Sequence, residues 1–181
     1  MEIVAEYIIL RPVDFSDAEN IVAFRNNPEI NKYLSSQKVI SIEEQIKWML
    51  NNENSSTNFY FKIIRRNDNQ FIGTISLYNI ENNIAEFGRY ICIDPIGAIE
   101  AELSIIEFAF SQSKLEKIYC RTVLDNTKVI IQHRKFGFRD IKKVYDPKIG
   151  RELLIQELNY EGFSKFDYHF IKKLVEKFTK K

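Results

Sequence analysis

Three segments of strand character follow one another in the middle of the chain with no room for a helix between them: 58–66 (NFYFKIIRR), 70–80 (QFIGTISLYNI) and 84–93 (IAEFGRYICI). Each is rich in β-branched and aromatic residues, and the breaks between them, Asn67-Asp68-Asn69 and Glu81-Asn82-Asn83, are of turn composition. Connections this short join antiparallel neighbours only, because a parallel return needs a crossover of about a dozen residues or more. An antiparallel meander therefore sits at the centre of the fold, and the flanking sequence must cover it.

On the N-terminal side, 6–13 (EYIILRPV) reads as a strand. It feeds a helix over 14–28, capped by Ser16 or Asp14, striped by Ile21, Val22 and Phe24, and ended at Asn27-Pro28. Ser41 and Glu44 have capping-box spacing and predict a helix from about Ile42 to Leu50, broken by 51–57 (NNENSST). After the meander, 92–110 (CIDPIGAIEAELSIIEFAF) turns from strand into a long core helix. Ile99, Leu103, Ile106 and Phe110 share one of its faces, and Glu100, Ser104, Glu107 and Ser111 another.

A strand at 117–124 (KIYCRTVL) and a short helix follow, the helix capped by Asp125 or Asn126 and stopped at Gly137. A closing hairpin then turns across 147–150 (PKIG). Beyond 162–165 (GFSK), an amphipathic helix directs Phe170, Ile171, Leu174, Val175 and Phe178 inward and carries Lys172, Lys173, Lys177, Lys180 and Lys181. It either covers the sheet or joins two protomers in a homodimer. The fold class is α/β of the α+β kind: a mixed, mostly antiparallel sheet flanked by helices, as one domain over 1–163 with a helical extension at 164–181.

Composition bounds the function. A chain of 181 residues with 45% hydrophobic residues suits one core, and 26 basic against 25 acidic residues leave a net charge of +1. That balance offers no field for nucleic acid or an anionic membrane. With no secretory segment at the start, no apolar run near the length of a membrane span, and Cys92 and Cys120 in predicted strands, a reducing, cytoplasmic setting is expected.

Four segments in order, RNNPEINKYL, FIGTISLYNI, AEFGRYICIDP and NTKVIIQHRKFGF, resemble the GCN5-related N-acetyltransferases over about Tyr7 to Phe163. The branch they resemble holds ribosomal-protein N-terminal and amino-sugar-nucleotide acetyltransferases. The resemblance implies a splayed sheet in which the strand carrying Ile91, Cys92 and Ile93 parts from 117–124, leaving backbone groups to hold the pantetheine arm of acetyl-CoA beside Asn126. It also implies a pyrophosphate site on the turn before the long helix, at Gly97, Ala98 and Ile99. Here that turn is short, lacks the family's Arg or Gln, and carries Asp94. Either the helix N-terminus still meets the pyrophosphate in a differently shaped site, or this is a plain strand-to-helix turn in a module without cofactor.

Acetyl transfer needs a neutral amine, a polarised carbonyl and a proton for the departing thiolate. His133 stands where the family often has Tyr, and is either the acid or a core histidine. Glu86 is the candidate base, the alternative being a cross-strand charge pair. Tyr90 shares the face of Glu86 by strand alternation and either supplies the acid or packs. Arg25, Tyr33, Phe59 and Tyr60 are the cation and aromatic faces available to an acceptor, with Trp48 read as core. The expected activity is an acetyl-CoA-dependent, ternary-complex N-acetyltransferase acting on a small primary amine, a nucleotide-linked amino sugar. The alternatives are a protein N-terminus as acceptor or a non-catalytic module.

Overall fold

The computed structural model describes residues 1–53 and 58–179. The third helix, expected to break at 51–57, continues to Glu53; the rest of that segment, 54–57, and the last two lysines, Lys180 and Lys181, lie outside the described residues. Eight strands, β1 (Ile3–Val4), β2 (Ile8–Pro12), β3 (Phe59–Arg65), β4 (Gln70–Glu81), β5 (Ile84–Cys92), β6 (Lys117–Val123), β7 (Arg139–Asp146) and β8 (Arg151–Asn159), form one sheet in the order β1-β2-β3-β4-β5-β6-β8-β7. The predicted meander is β3–β5 and the predicted hairpin is β7–β8, both antiparallel.

One joint in the sheet is parallel. β5 and β6 pair only at Ile84↔Lys117, Ala85↔Ile118 and Glu86↔Tyr119. Past Glu86 each strand keeps its other neighbour, β5 staying on β4 as far as Cys92↔Gly73 and β6 on β8 as far as Val123↔Leu153. The sheet therefore splays open, as the resemblance implied. β5 also bulges: Ser76 faces Gly88 while Thr74 faces Ile91, and the extra residue places Arg89 in left-handed backbone at φ 48°. Gly73 lies across from this segment because any Cβ there would meet the Ile91 carbonyl at 2.0 Å.

The first helices are α1 (Ala18–Asn26), preceded by a tight turn at Phe15–Asp17, then α2 (Pro28–Asn31) and α3 (Ile42–Glu53). Asp14 accepts from the Ser16 N–H and Asn27 from the Glu29 N–H. The predicted capping box is formed, with Ser41 Oγ accepting from Glu44 N–H at 3.1 Å and Glu44 accepting from Ser41 N–H at 2.9 Å. Ala18, Ile21 and Met49 make a small core between these helices and the sheet, against which Trp48 and Tyr60 are half-buried.

α4 (Pro95–Glu107), extended by a wide turn at Phe108–Gln112, packs on β2–β5 on one side and on the last helix on the other. Glu100, Glu102 and Ser104 are consequently buried, while Glu107 and Ser111, further along the stripe read from the sequence, are half-buried and exposed respectively. Glu100 accepts the backbone N–H groups of Glu6, Tyr7 and Ile8 at 3.0, 2.7 and 2.8 Å, satisfying the start of β2.

After α5 (Thr127–Lys135) and α6 (Tyr160–Lys165) comes α7 (His169–Thr179). Its Ile171 and Val175 are buried, and Lys172 pairs with Glu107 at 2.8 Å, so α7 covers α4. Phe170 and Phe178, expected inward, are 75% and 45% exposed, because only a narrow stripe of the helix meets α4. No helix among the described residues is long and apolar enough to cross a membrane.

Candidate active site at the opening of the sheet

The splay between β5 and β6 opens into a cleft of about 550 Å³. Glu86, Gly88 and Tyr90 border it from β5, Cys120 to Val123 from β6, and Asn126, Val129 and His133 from the start and inner face of α5. Arg25 and Tyr33 reach it from α1 and from the end of α2. Six residues singled out in the sequence thus converge: Glu86, Tyr90, His133, Asn126, Arg25 and Tyr33. Phe59 and Tyr60 face a different cleft of about 280 Å³, together with Trp48. Between the two lies a third, of about 380 Å³, bordered by Ile91, Arg25, Trp48, Tyr60 and Tyr78.

The unpaired edge of β5 beyond Glu86 fits the pantetheine arm of acetyl-CoA, since backbone donors and acceptors there have no strand partner on the β6 side. The turn at the N-terminus of α4 fits less well. Pro95 has no N–H, the N–H groups of Ile96 and Gly97 both donate to Asp94 Oδ1 at 2.9 and 2.8 Å, and Ala98 N–H donates to the Asp94 carbonyl at 2.8 Å. Every donor expected to meet a pyrophosphate at Gly97 and Ala98 is engaged within the chain. Asp94 is itself held by Arg65 and Tyr7, each at 2.9 Å. Burial alone would raise its carboxyl, but the Gly97 N–H, Arg65 and Tyr7 together hold it below its ordinary value. Gly97 has a packing reason, because a Cβ there would meet Ile72 Cδ1 at 2.5 Å. Cys92, Ile93, Gly97, Ala98 and Ile99 border none of the three clefts.

Glu86 is buried and its carboxylate is crowded with donors. Arg121 approaches both oxygens at 2.8 and 3.3 Å, Tyr78 donates at 2.8 Å, Asn79 at 3.2 Å and Tyr119 at 3.4 Å. The cross-strand charge pair foreseen as the alternative is present, but it is buried on the Glu86 side. Direct proton abstraction by Glu86 would need one of these lone pairs freed.

His133 is paired through one ring nitrogen. Its Nδ1 lies 2.7 Å from Glu102 in a fully buried pair, and its ring packs edge-on against Phe87. Burial by itself would lower His133, but the Glu102 charge, joined by the Cys120 sulfur, raises it above its ordinary value. His133 is thus buried and ion-paired, and it also borders the cleft. Tyr90 donates to the Ala98 carbonyl at 2.6 Å and accepts from Gln132 at 3.2 Å. Burial pushes its phenol well upward, so it keeps its proton at neutral pH.

Arg89 was not legible in the sequence. Strand alternation sends it to the face opposite Glu86 and Tyr90, but the bulge turns it into all three clefts. Its guanidinium carbon lies over the rings of Tyr78 at 4.1 Å and Trp48 at 4.7 Å. Burial lowers its pKa from the ordinary value. Its Nη1 and the Nε of Arg25 are buried without a hydrogen-bond partner among the described residues.

A family model described as an acetyltransferase (GNAT) domain matches residues 8–139. The acetyltransferase PseH of Campylobacter jejuni (strain 81-176) is 30% identical over 123 residues, covering 67% of this chain and 76% of the relative. Among solved structures, apo FdhC, described as a nucleotide-linked sugar GNAT, superposes with a TM-score of 0.80 at 27% identity over 95% of this chain and 97% of that one. The spermidine N-acetyltransferase of Vibrio cholerae, solved with CoA and spermine, shares the fold at a TM-score of 0.79 and 19% identity, over 89% of this chain and 100% of that one.

Proposed function

The chain belongs to the GNAT family and is an acetyl-CoA-dependent N-acetyltransferase, and on that premise we propose that its acceptor is the primary amine of a nucleotide-linked amino sugar. The observation that carries this reading is the charge of the cleft. Arg25 enters it with no carboxylate partner among the described residues and Lys148 borders it, while Glu86 is neutralised by Arg121. A peptide N-terminus is a cation and calls for an acidic groove, whereas a diphosphate calls for guanidinium groups. The description of FdhC supports the same acceptor class. The cytoplasm, where acetyl-CoA is at hand, is the compartment that goes with this reading.

When bound, acetyl-CoA supplies an activated acetyl group, whose transfer forms an amide C–N bond and breaks the thioester C–S bond. The chain's residues handle the protons. Tyr78 borders the cleft and donates to Glu86 at 2.8 Å. In the proposed scheme Tyr78 Oη takes the amine proton as the phenol proton moves to Glu86, with Arg121 fixing the carboxylate. Tyr90, protonated and bordering the same cleft, is in this scheme the acid for the leaving sulfur, its O–H turning from the Ala98 carbonyl to the thiolate. Asn126 lies at the mouth of the opening, where it can bond the pantetheine amides.

A panel assay following free thiol tests the acceptor. Turnover with nucleotide-linked amino sugars should exceed turnover with short peptides. Rapid acetylation of peptides with none of any amino-sugar nucleotide would replace this reading with a protein N-terminal acetyltransferase.

A further inference from the structure

A buried cation without a partner is costly, and native structures seldom keep one unless a ligand completes the site. Arg25 and Arg89, both half-buried and both bordering the same two clefts, each hold one guanidinium nitrogen buried with no hydrogen-bond partner among the described residues. The carboxylates nearby are already used: Glu86 by Arg121 at 2.8 Å, Glu44 by Lys38 at 2.6 Å, and Asp17 by Lys62 at 2.8 Å. Asp146, on the rim, accepts the Lys148 N–H. Arg89 is also pre-positioned. The bulge aims it, and its guanidinium carbon lies against the Tyr78 and Trp48 rings, so less side-chain freedom remains to be lost when an anion arrives.

We propose that Arg25 and Arg89 form a two-guanidinium cradle for the phosphate groups of the acceptor, and that this cradle selects diphosphate-bearing acceptors over neutral amino sugars and over polycationic amines. The proposal rests on the acceptor reading above and deepens it. Two adjacent guanidiniums repel each other until an anion lies between them, and their planar forks match phosphate oxygens in pairs. A polyamine would add positive charge to two uncompensated cations. Arg89 borders both the acetyl-transfer cleft and the aromatic cleft of Trp48, Phe59 and Tyr60. A diphosphate held there directs the sugar to the first and the base to the second.

Calorimetry on the protein saturated with CoA, so that the cofactor's own phosphate site is filled, tests the cradle with inorganic pyrophosphate, uridine 5′-diphosphate and uridine. In the wild type the diphosphate should bind at least about tenfold more tightly than uridine, a comparison that needs no variant. Arg89→Gln and Arg25→Gln should each weaken pyrophosphate at least about tenfold, the expected loss when one partner of a buried charge contact is truncated. Arg89→Lys, which keeps the charge and loses the fork, should fall between. Equal affinity for uridine and its diphosphate, or pyrophosphate binding unchanged in both glutamine variants, overturns the cradle. The two readings separate cleanly. Pyrophosphate binding lost in the variants while no nucleotide-linked amino sugar is acetylated leaves the cradle standing without its acceptor. Undiminished kcat/KM of Arg89→Gln toward such a sugar leaves the acceptor standing without the cradle.

Discussion

The N-terminus of α4 and the cleft beneath Arg89 are both places where an anion is expected, and they have been finished in opposite ways. At α4 the anion is part of the chain: Asp94 takes the Ile96 and Gly97 N–H groups and the charge of Arg65. In the cleft the cations are part of the chain and the anion is left out, with Arg25 and Arg89 lacking a carboxylate partner among the described residues. The first arrangement contributes to stability and offers a ligand little. The second leaves binding energy for whatever arrives. A polar group that is satisfied within the fold is a structural group, and one that is not marks where a ligand acts.

Substitutions can break that comparison, and the largest effect belongs to a satisfied pair. His133→Phe leaves Glu102 buried without its cation and should cost about 3–5 kcal/mol in urea unfolding. The pH dependence has a definite sign. Because His133 is raised in the folded state, its contribution is fully present below the ordinary value of 6.5 and is lost as pH rises through the raised one. The gap between wild type and variant should therefore narrow on the alkaline side; a gap that widens there would remove the ion pair from the account.

Asp94→Ala comes next, removing a cap with two N–H acceptor contacts, at about 1–2 kcal/mol. Asp94 is lowered in the fold, so its contribution holds above the ordinary 3.8 and disappears as pH falls through the lower folded value. The same variant frees the α4 donors, and its affinity for CoA should rise by calorimetry. Unchanged affinity would mean that the pyrophosphate never meets this turn.

The smallest effect on stability sharpens the contrast. Arg25→Gln loses no ion-pair partner among the described residues and should shift the unfolding free energy by no more than about 0.5 kcal/mol, in either direction. Its kinetic effect should be large by comparison, a raised KM for the phosphate-bearing acceptor with little change for a phosphate-free amino sugar. A Tm drop of many degrees would place Arg25 among the structural groups after all.

Much of this architecture is legible in residue order. Turn composition and strand patterning place the meander, Ser41 and Glu44 place the start of α3, and the closing hairpin follows from its turn. The four family-like segments place the opening of the sheet and gather Glu86, Tyr90, Asn126 and His133 around it. What patterning misses is set by tertiary packing. The spacing of Glu100 and Ser104 shows a shared helix face but not that both are buried, nor that the backbone at the start of β2 is what Glu100 binds. Gly97 looks like a phosphate-turn glycine until Ile72 is seen against it. Arg89 falls on the wrong face under strict alternation, since a bulge at a non-glycine residue leaves no composition signal.

The three-residue joint between β5 and β6 also sets how the molecule comes apart. It leaves two antiparallel blocks, β1–β5 and β6–β8, sharing few backbone hydrogen bonds. The Glu102–His133 pair crosses the seam from α4 to α5 and acts as a latch above that narrow hinge. Amide exchange should then resolve two cooperative units, with β5 beyond Glu86 exchanging ahead of β4, and loss of the latch should uncouple them before either block melts. The groove that admits the pantetheine arm is thus also the fault line of the fold, and a ligand lying in it splints the two halves together.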